Sequence, residues 1–115
     1  MADKPLLWLG SSLEAVRAFP EAARRQAGFE LSQVQAGLEP SDWKPMATVG
    51  AGVREIRIAV GTAHRIFYVA TFAEGIYVLH AFEKRSRQTA PLDIDVGQRR
   101  YRELVAWRRD HKEGK

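Results

Sequence analysis

Two hydrophobic periodicities divide the chain. Between Ser11 and Leu38 apolar residues recur every three or four positions, whereas from Val53 to Arg85 they crowd into strand-length runs broken at Gly61-Thr62-Ala63 and Glu74-Gly75. The first spacing predicts helices. Ser11 and Glu14 have the spacing of a capping box, with Leu13, Val16 and Phe19 on one face. Pro20 ends that short helix and starts a second one, which runs to about Gln35. Ala23, Ala27, Leu31, Val34 and Leu38 form its apolar stripe, and Gly37 is its expected C-cap. The later runs are rich in Val, Ile, Phe and Tyr, so they predict three strands in a β-meander.

The remaining segments fit around these. Pro5–Leu9 has the length and leading proline of an added edge strand. The stretch from Leu38 to Gly52 has prolines, glycines and no periodicity, and reads as a connection. Gly50-Ala51-Gly52 are turn glycines there: a dinucleotide fingerprint needs a third glycine and a following helix. After a polar loop, Arg85–Pro91, Asp93 is the expected cap of a last helix from about Ile94 to Arg109. Ile94, Tyr101, Leu104 and Val105 are its expected buried face, with Arg99, Arg100, Arg102, Arg108 and Arg109 mostly outward. Gly97 weakens its first turn, and the final HKEGK reads as a frayed end. The expected fold is α+β: a small antiparallel-rich sheet over residues 53–85, packed against an N-terminal helical pair, with a C-terminal helix.

Composition narrows the function classes. At 115 residues and 45% hydrophobic the chain can form one domain, residues 1–115, with a single core. It has no cysteine, which removes disulfides, thiol nucleophiles and thiolate metal sites. No stretch approaches the roughly 20 apolar residues of a membrane span, and no signal peptide is evident, so a soluble intracellular protein without membrane partners is expected. No cofactor is called for, and no His or carboxylate cluster has metal-ligand spacing.

The net charge of +4 is unevenly placed. Residues 1–52 carry five basic and six acidic side chains, whereas Val53–Gln88 carries Arg54, Arg57, Arg65, Lys84, Arg85 and Arg87 against Glu55, Glu74 and Glu83. A solvated charged face accounts for this as well as a binding site does. The preference for arginine points towards phosphate, whose oxygens match the guanidinium fork.

Strand alternation sorts these residues. In the first strand Arg54, Ile56, Ile58 and Val60 share a face, opposite Val53, Glu55, Arg57 and Ala59. The second strand is apolar on both sides, so its facing is open. In the third, His80, Phe82 and Lys84 oppose Leu79, Ala81 and Glu83. A surface joining Arg57, Arg65 and Lys84 or Arg85 suits a scissile RNA phosphate, because cations aimed at non-bridging oxygens stabilise the charge that grows in the transition state. RNA supplies its own nucleophile, the 2′-hydroxyl, if one group removes its proton and another protonates the leaving oxygen. Glu55, His80 and a lysine with a lowered pKa are the candidate proton carriers, though Glu55 also fits a counter-ion and His80 a core histidine. Arg54 and Arg87 are candidate RNA contacts, and Tyr68 and Phe82 candidate base stackers that fit a core equally.

Taken in order, Glu55-Ile56-Arg57, His64-Arg65-Ile66-Phe67-Tyr68 and Leu79-His80-Ala81-Phe82-Glu83-Lys84-Arg85, followed by Thr89-Ala90-Pro91, resemble the RelE/ParE superfamily of toxin–antitoxin toxins, nearest its phage-derived HigB-like branch. His64 stands where that pattern often has tyrosine, and Ala90 separates its usual Thr-Pro pair. The resemblance implies a cytoplasmic toxin of a type II system, neutralised by a helix-turn-helix antitoxin. It further implies ribosome-dependent, metal-independent mRNA cleavage, with Arg57, Arg65 and Lys84 or Arg85 at the basic active-site positions. Two other functions stay open: gyrase inhibition through the basic C-terminal helix, as in ParE-like members, and a non-catalytic nucleic-acid-binding phage accessory role.

Overall fold

The structure is a computed structural model that describes residues 3–112. Its centre is a five-stranded mixed sheet in the order β1-β5-β4-β3-β2, made of β1 (Leu6–Trp8), β2 (Trp43–Pro45), β3 (Val53–Ile58), β4 (His64–Val69) and β5 (Ile76–Glu83). The last three form the antiparallel meander that the sequence predicts. β1 adds to one edge, parallel to β5, and β2 to the other, antiparallel to β3. β2 lies inside the stretch read as a plain connection. It is three residues long and ends on Pro45, and a sheet edge is where a proline without an N–H is tolerated.

Helices cover both faces. α1 (Ser12–Arg17), α2 (Glu21–Gln35) and the link between them bury Val16, Phe19, Ala23, Ala27, Leu31 and Val34 against Ile56, Ile58, Ile66, Tyr68, Ile76 and Val78. On the other face α3 (Pro91–Lys112) brings Leu104, with partly buried Ile94 and Tyr101, over Phe67, Val69, Leu79 and Val49. The central strand is therefore apolar on both sides, and only one of its six residues, Arg65, is not fully buried. That double burial is why alternation alone left its facing open.

Several local expectations shift. Leu38 is 56% exposed, because α2 stops at Gln35 and the chain turns through Gly37 at φ +86°. No side-chain cap forms at Ser11. Its hydroxyl accepts from Arg100 instead, at 3.1 Å. α3 starts at Pro91, a favoured first helical position, so Asp93 lies in the first turn and does not cap it. Val105 is exposed, while two arginines expected outside turn inward. Arg100 donates to the Leu79 carbonyl at 2.8 Å, and Arg108 pairs with Glu74 at 2.6 Å. The helix continues through His111 and Lys112 of the HKEGK tail, and residues 113–115 lie outside the described range.

Arg100 has a specific task. β5 bulges against β4: Phe67 pairs with His80 and Tyr68 with Val78, so Leu79 is the extra residue. A bulged residue loses its ladder partner, and the Arg100 guanidinium fills the Leu79 carbonyl. The bulge also corrects the alternation expected for β5. Leu79 and His80 both face α3, instead of opposite sides, because the register slips between them.

Candidate active site

The register of β3 on β4 sets Arg57 directly opposite Arg65. Like charges facing each other across a strand pair repel, so this arrangement needs a counter-charge. Glu55 supplies it. Its Oε1 lies 3.6 Å from Arg57 Nε, 3.8 Å from Arg65 Nε and 3.9 Å from Lys44 Nζ. Lys44 arrives from β2, where it is the register partner of Glu55. Asp42 flanks the group, 3.8 Å from Arg57 and holding the Arg57 N–H through its carbonyl.

Burial orders the cluster in depth. Glu55 is 1% exposed, the Arg65 side chain 13%, Arg57 36% and Lys44 45%. The carboxylate is the floor and the cations reach towards solvent. None of the three contacts to Glu55 is short enough to be a hydrogen bond: Glu55 Oε2, Arg57 Nε and Arg65 Nε are buried without a partner among the described residues. Unfilled donors of this kind cost roughly 1–3 kcal/mol each when buried. An anionic oxygen entering the cluster can fill them.

A second pair flanks it. Phe82 is the register partner of Arg65, and the His80 ring stacks on Phe82 with centroids 5.0 Å apart. His80 Nε2 lies 2.8 Å from Asp93 Oδ1, in the first turn of α3. Burial pushes the His80 pKa below its ordinary value. Asp93 pulls it upward, and Arg100 and Arg99 add to the downward push.

Glu55, Arg57, Arg65, Phe82 and His80 thus share the α3 face of the sheet, and Arg65 does not turn towards the N-terminal helices. Lys84 follows the end of β5, its N–H still bonded to the Ala63 carbonyl and its ammonium to the Arg87 carbonyl. Arg85 and Arg87 are exposed at the start of the next loop, Arg85 paired with Glu83 at 3.1 Å. Neither these three nor two further candidates contact the Glu55 carboxylate. Arg54 lies on the opposite face, its guanidinium 3.9 Å from the Trp43 ring centroid and 3.7 Å from Glu39. Tyr68 shares that face and is 1% exposed, which leaves no ring surface for a base.

Sequence reading missed Lys44, Asp42 and the role of Asp93. Lys44 and Asp42 stand in a segment without periodicity, and only the pairing of β2 brings them to Glu55. Asp93 carried a signal, a carboxylate at a helix start, but capping was the nearer explanation for it.

A mixed five-stranded sheet with a helical pair on one face and a C-terminal helix on the other is compatible with a RelE-like fold, and the cationic cluster lies on its meander. The family described as "Phage derived protein Gp49-like (DUF891)" matches residues 14–102, and the chain belongs to it. That family is part of the RelE/ParE-like superfamily of toxin–antitoxin toxins, which implies an antitoxin partner. No curated protein matches the chain. No helix among the described residues is long and apolar enough to cross a membrane.

Proposed function

We propose that this chain is a ribosome-dependent mRNA endonuclease of the HigB-like branch, a cytoplasmic toxin restrained by a helix-turn-helix antitoxin. The observation that carries the reading is the Glu55-centred cluster, which holds Lys44, Arg57 and Arg65 with unfilled donors on the meander. Arg57 and Arg65 take the non-bridging oxygens of the scissile phosphate, where charge grows in the transition state. Glu55, buried beneath them, keeps the two guanidiniums side by side. His80 accepts the 2′-hydroxyl proton as that oxygen bonds to phosphorus. The bond to the 5′-oxygen breaks, leaving a cyclic phosphate, and Lys84 or Lys44 is the group able to protonate the leaving oxygen. Arg85 and Arg87 carry positive charge into the loop that follows β5.

The cluster favours this reading over gyrase inhibition through the C-terminal helix. Arg100 and Arg108 of that helix are occupied in holding the fold together. The test is to induce the chain in cells and follow nascent protein and mRNA. Rapid mRNA loss with arrested translation is expected. Intact mRNA with normal translation overturns the reading, and DNA damage signalling without mRNA loss transfers it to gyrase.

A further inference from the structure

Resting on that reading, we propose that Asp93 is a positioning residue that holds the His80 imidazole as its Nε2–H tautomer and so reserves Nδ1 for the 2′-hydroxyl proton. The contact is 2.8 Å between Nε2 and Oδ1, with the two side chains 15% and 22% exposed. A carboxylate only accepts, so the ring nitrogen facing it carries the hydrogen and the other keeps its lone pair. Nδ1 has no hydrogen-bond partner among the described residues.

The ring is fixed on its other sides. Phe82 stacks on it at an interplanar angle of 22°, and Phe67 lies 6.1 Å away, centroid to centroid. Alternation from Phe82 sets His80 on this face, and the Asp93 N–H is tied to the Ala90 carbonyl at 3.0 Å. The charged groups acting on His80 all come from α3: Asp93 favours the imidazolium, while Arg99 and Arg100 oppose it. Its neighbours from β4 and β5 are the uncharged Phe67 and Phe82 rings. In the reaction the 2′-oxygen gives its proton to Nδ1, bonds to phosphorus and displaces the 5′-oxygen. The imidazolium so formed is held by the Asp93 carboxylate, the role of the acid in a nucleophile–histidine–carboxylate triad.

A purely structural Asp93, tying α3 to β5, would not set a tautomer. Two-bond ¹H–¹⁵N spectra of the imidazoles, assigned with His80→Gln and followed over pH, read that directly. Neutral wild-type His80 is expected as Nε2–H. In Asp93→Asn the Nδ1–H form is expected to gain, and the His80 pKa to fall because a charge favouring the imidazolium is gone. A tautomer and titration unchanged in Asp93→Asn overturn the proposal. Should that variant loosen α3, the wild type alone decides, since an Nδ1–H imidazole there overturns it too. With programmed ribosomes, Asp93→Asn is expected to slow mRNA cleavage roughly a hundredfold, the low end for a positioned acid–base group. Added to His80→Ala it is expected to change nothing further, and an additional loss would place its action elsewhere. If the wild type leaves mRNA intact, the nuclease reading falls while the imidazole spectra still decide what Asp93 does.

Discussion

Arg57 and Arg65 face each other across a strand pair and are held there by one buried carboxylate. Glu55→Gln keeps the shape and removes the charge, leaving the two guanidiniums and Lys44 to repel. The expected loss is about 2 kcal/mol, below the ~3–5 kcal/mol of a fully buried pair because Arg57 and Lys44 reach water. Denaturant unfolding measures it, and an unchanged midpoint would show that Glu55 is not the counter-ion of the cluster. Arg65→Ala and Lys84→Ala act differently, removing cations from the phosphate site. Both are expected to relieve toxicity while circular dichroism stays that of the wild type. Full toxicity in both would move the site off the meander. The Glu-x-Arg pair was legible in the sequence because residues two apart on a strand share a face. Lys44 was not, since a lysine in an aperiodic connection has no assigned neighbours until β2 pairs.

At the scale of elements, α3 is joined to the rest of the fold by Gly97, Arg100 and Arg108 as well as by the Asp93–His80 contact. Gly97 lies where an added Cβ would come within 2.9 Å of the Phe67 ring and 3.0 Å of Val49, both buried. The residue that weakens the helix by itself is the one that lets it approach the sheet. Gly97→Ala gains about 1 kcal/mol of helix propensity and meets overpacking of roughly 1–3 kcal/mol, so a net loss of stability is expected. A raised melting temperature would mean that the ring yields. Arg100 is the second join. Arg100→Ala strips the bulged Leu79 carbonyl of its donor, at a cost of about 1–3 kcal/mol, and thermal unfolding shows whether the carbonyl finds another partner. At the far end Glu74 accepts from Arg108 and Tyr77, while Arg108 lies over the Phe72 ring, 3.8 Å from its centroid. The hydrogen bond from Arg108 holds the Glu74 carboxyl at about 2, and burial pushes Tyr77 up to about 12.

For the whole molecule these groups set the pH response. The His80 pKa is lowered in the folded state, so below the ordinary 6.5 the unfolded chain binds the extra proton first and stability falls as pH drops. Glu74 adds a second loss between 4.5 and about 2, where its carboxylate is protonated in the unfolded chain before the folded one. Melting temperatures from pH 7.5 down to 3 are expected to decline in these two stages. A flat profile between pH 7 and 5.5 would show His80 to be unshifted. RNA affinity is expected to fall with salt, and Lys84→Ala to lower the slope by about one, as for a single phosphate contact. An unchanged slope would place Lys84 away from the backbone of the bound RNA.

The sequence by itself determined the meander, the helical pair ahead of it and the helix behind it, because periods of two and of three to four residues are local properties of the chain. It also placed Glu55 beside Arg57 and set both in a pattern that resembles the RelE/ParE toxins. Tertiary structure decided what depends on partners far along the chain. It put helices on both faces of the sheet, which fixed the facing of Arg65 where alternation could not. It slipped the β5 register by one residue at Leu79, which brought Leu79 onto the face that His80 already shared with Phe82, and it packed α3 there so that Asp93 meets His80. It also buried Tyr68 on the far face, the one to which alternation had already assigned Arg54. The physical reason is the same in each case: a strand's own residues specify two sides, but only packing against another element says which side each one becomes.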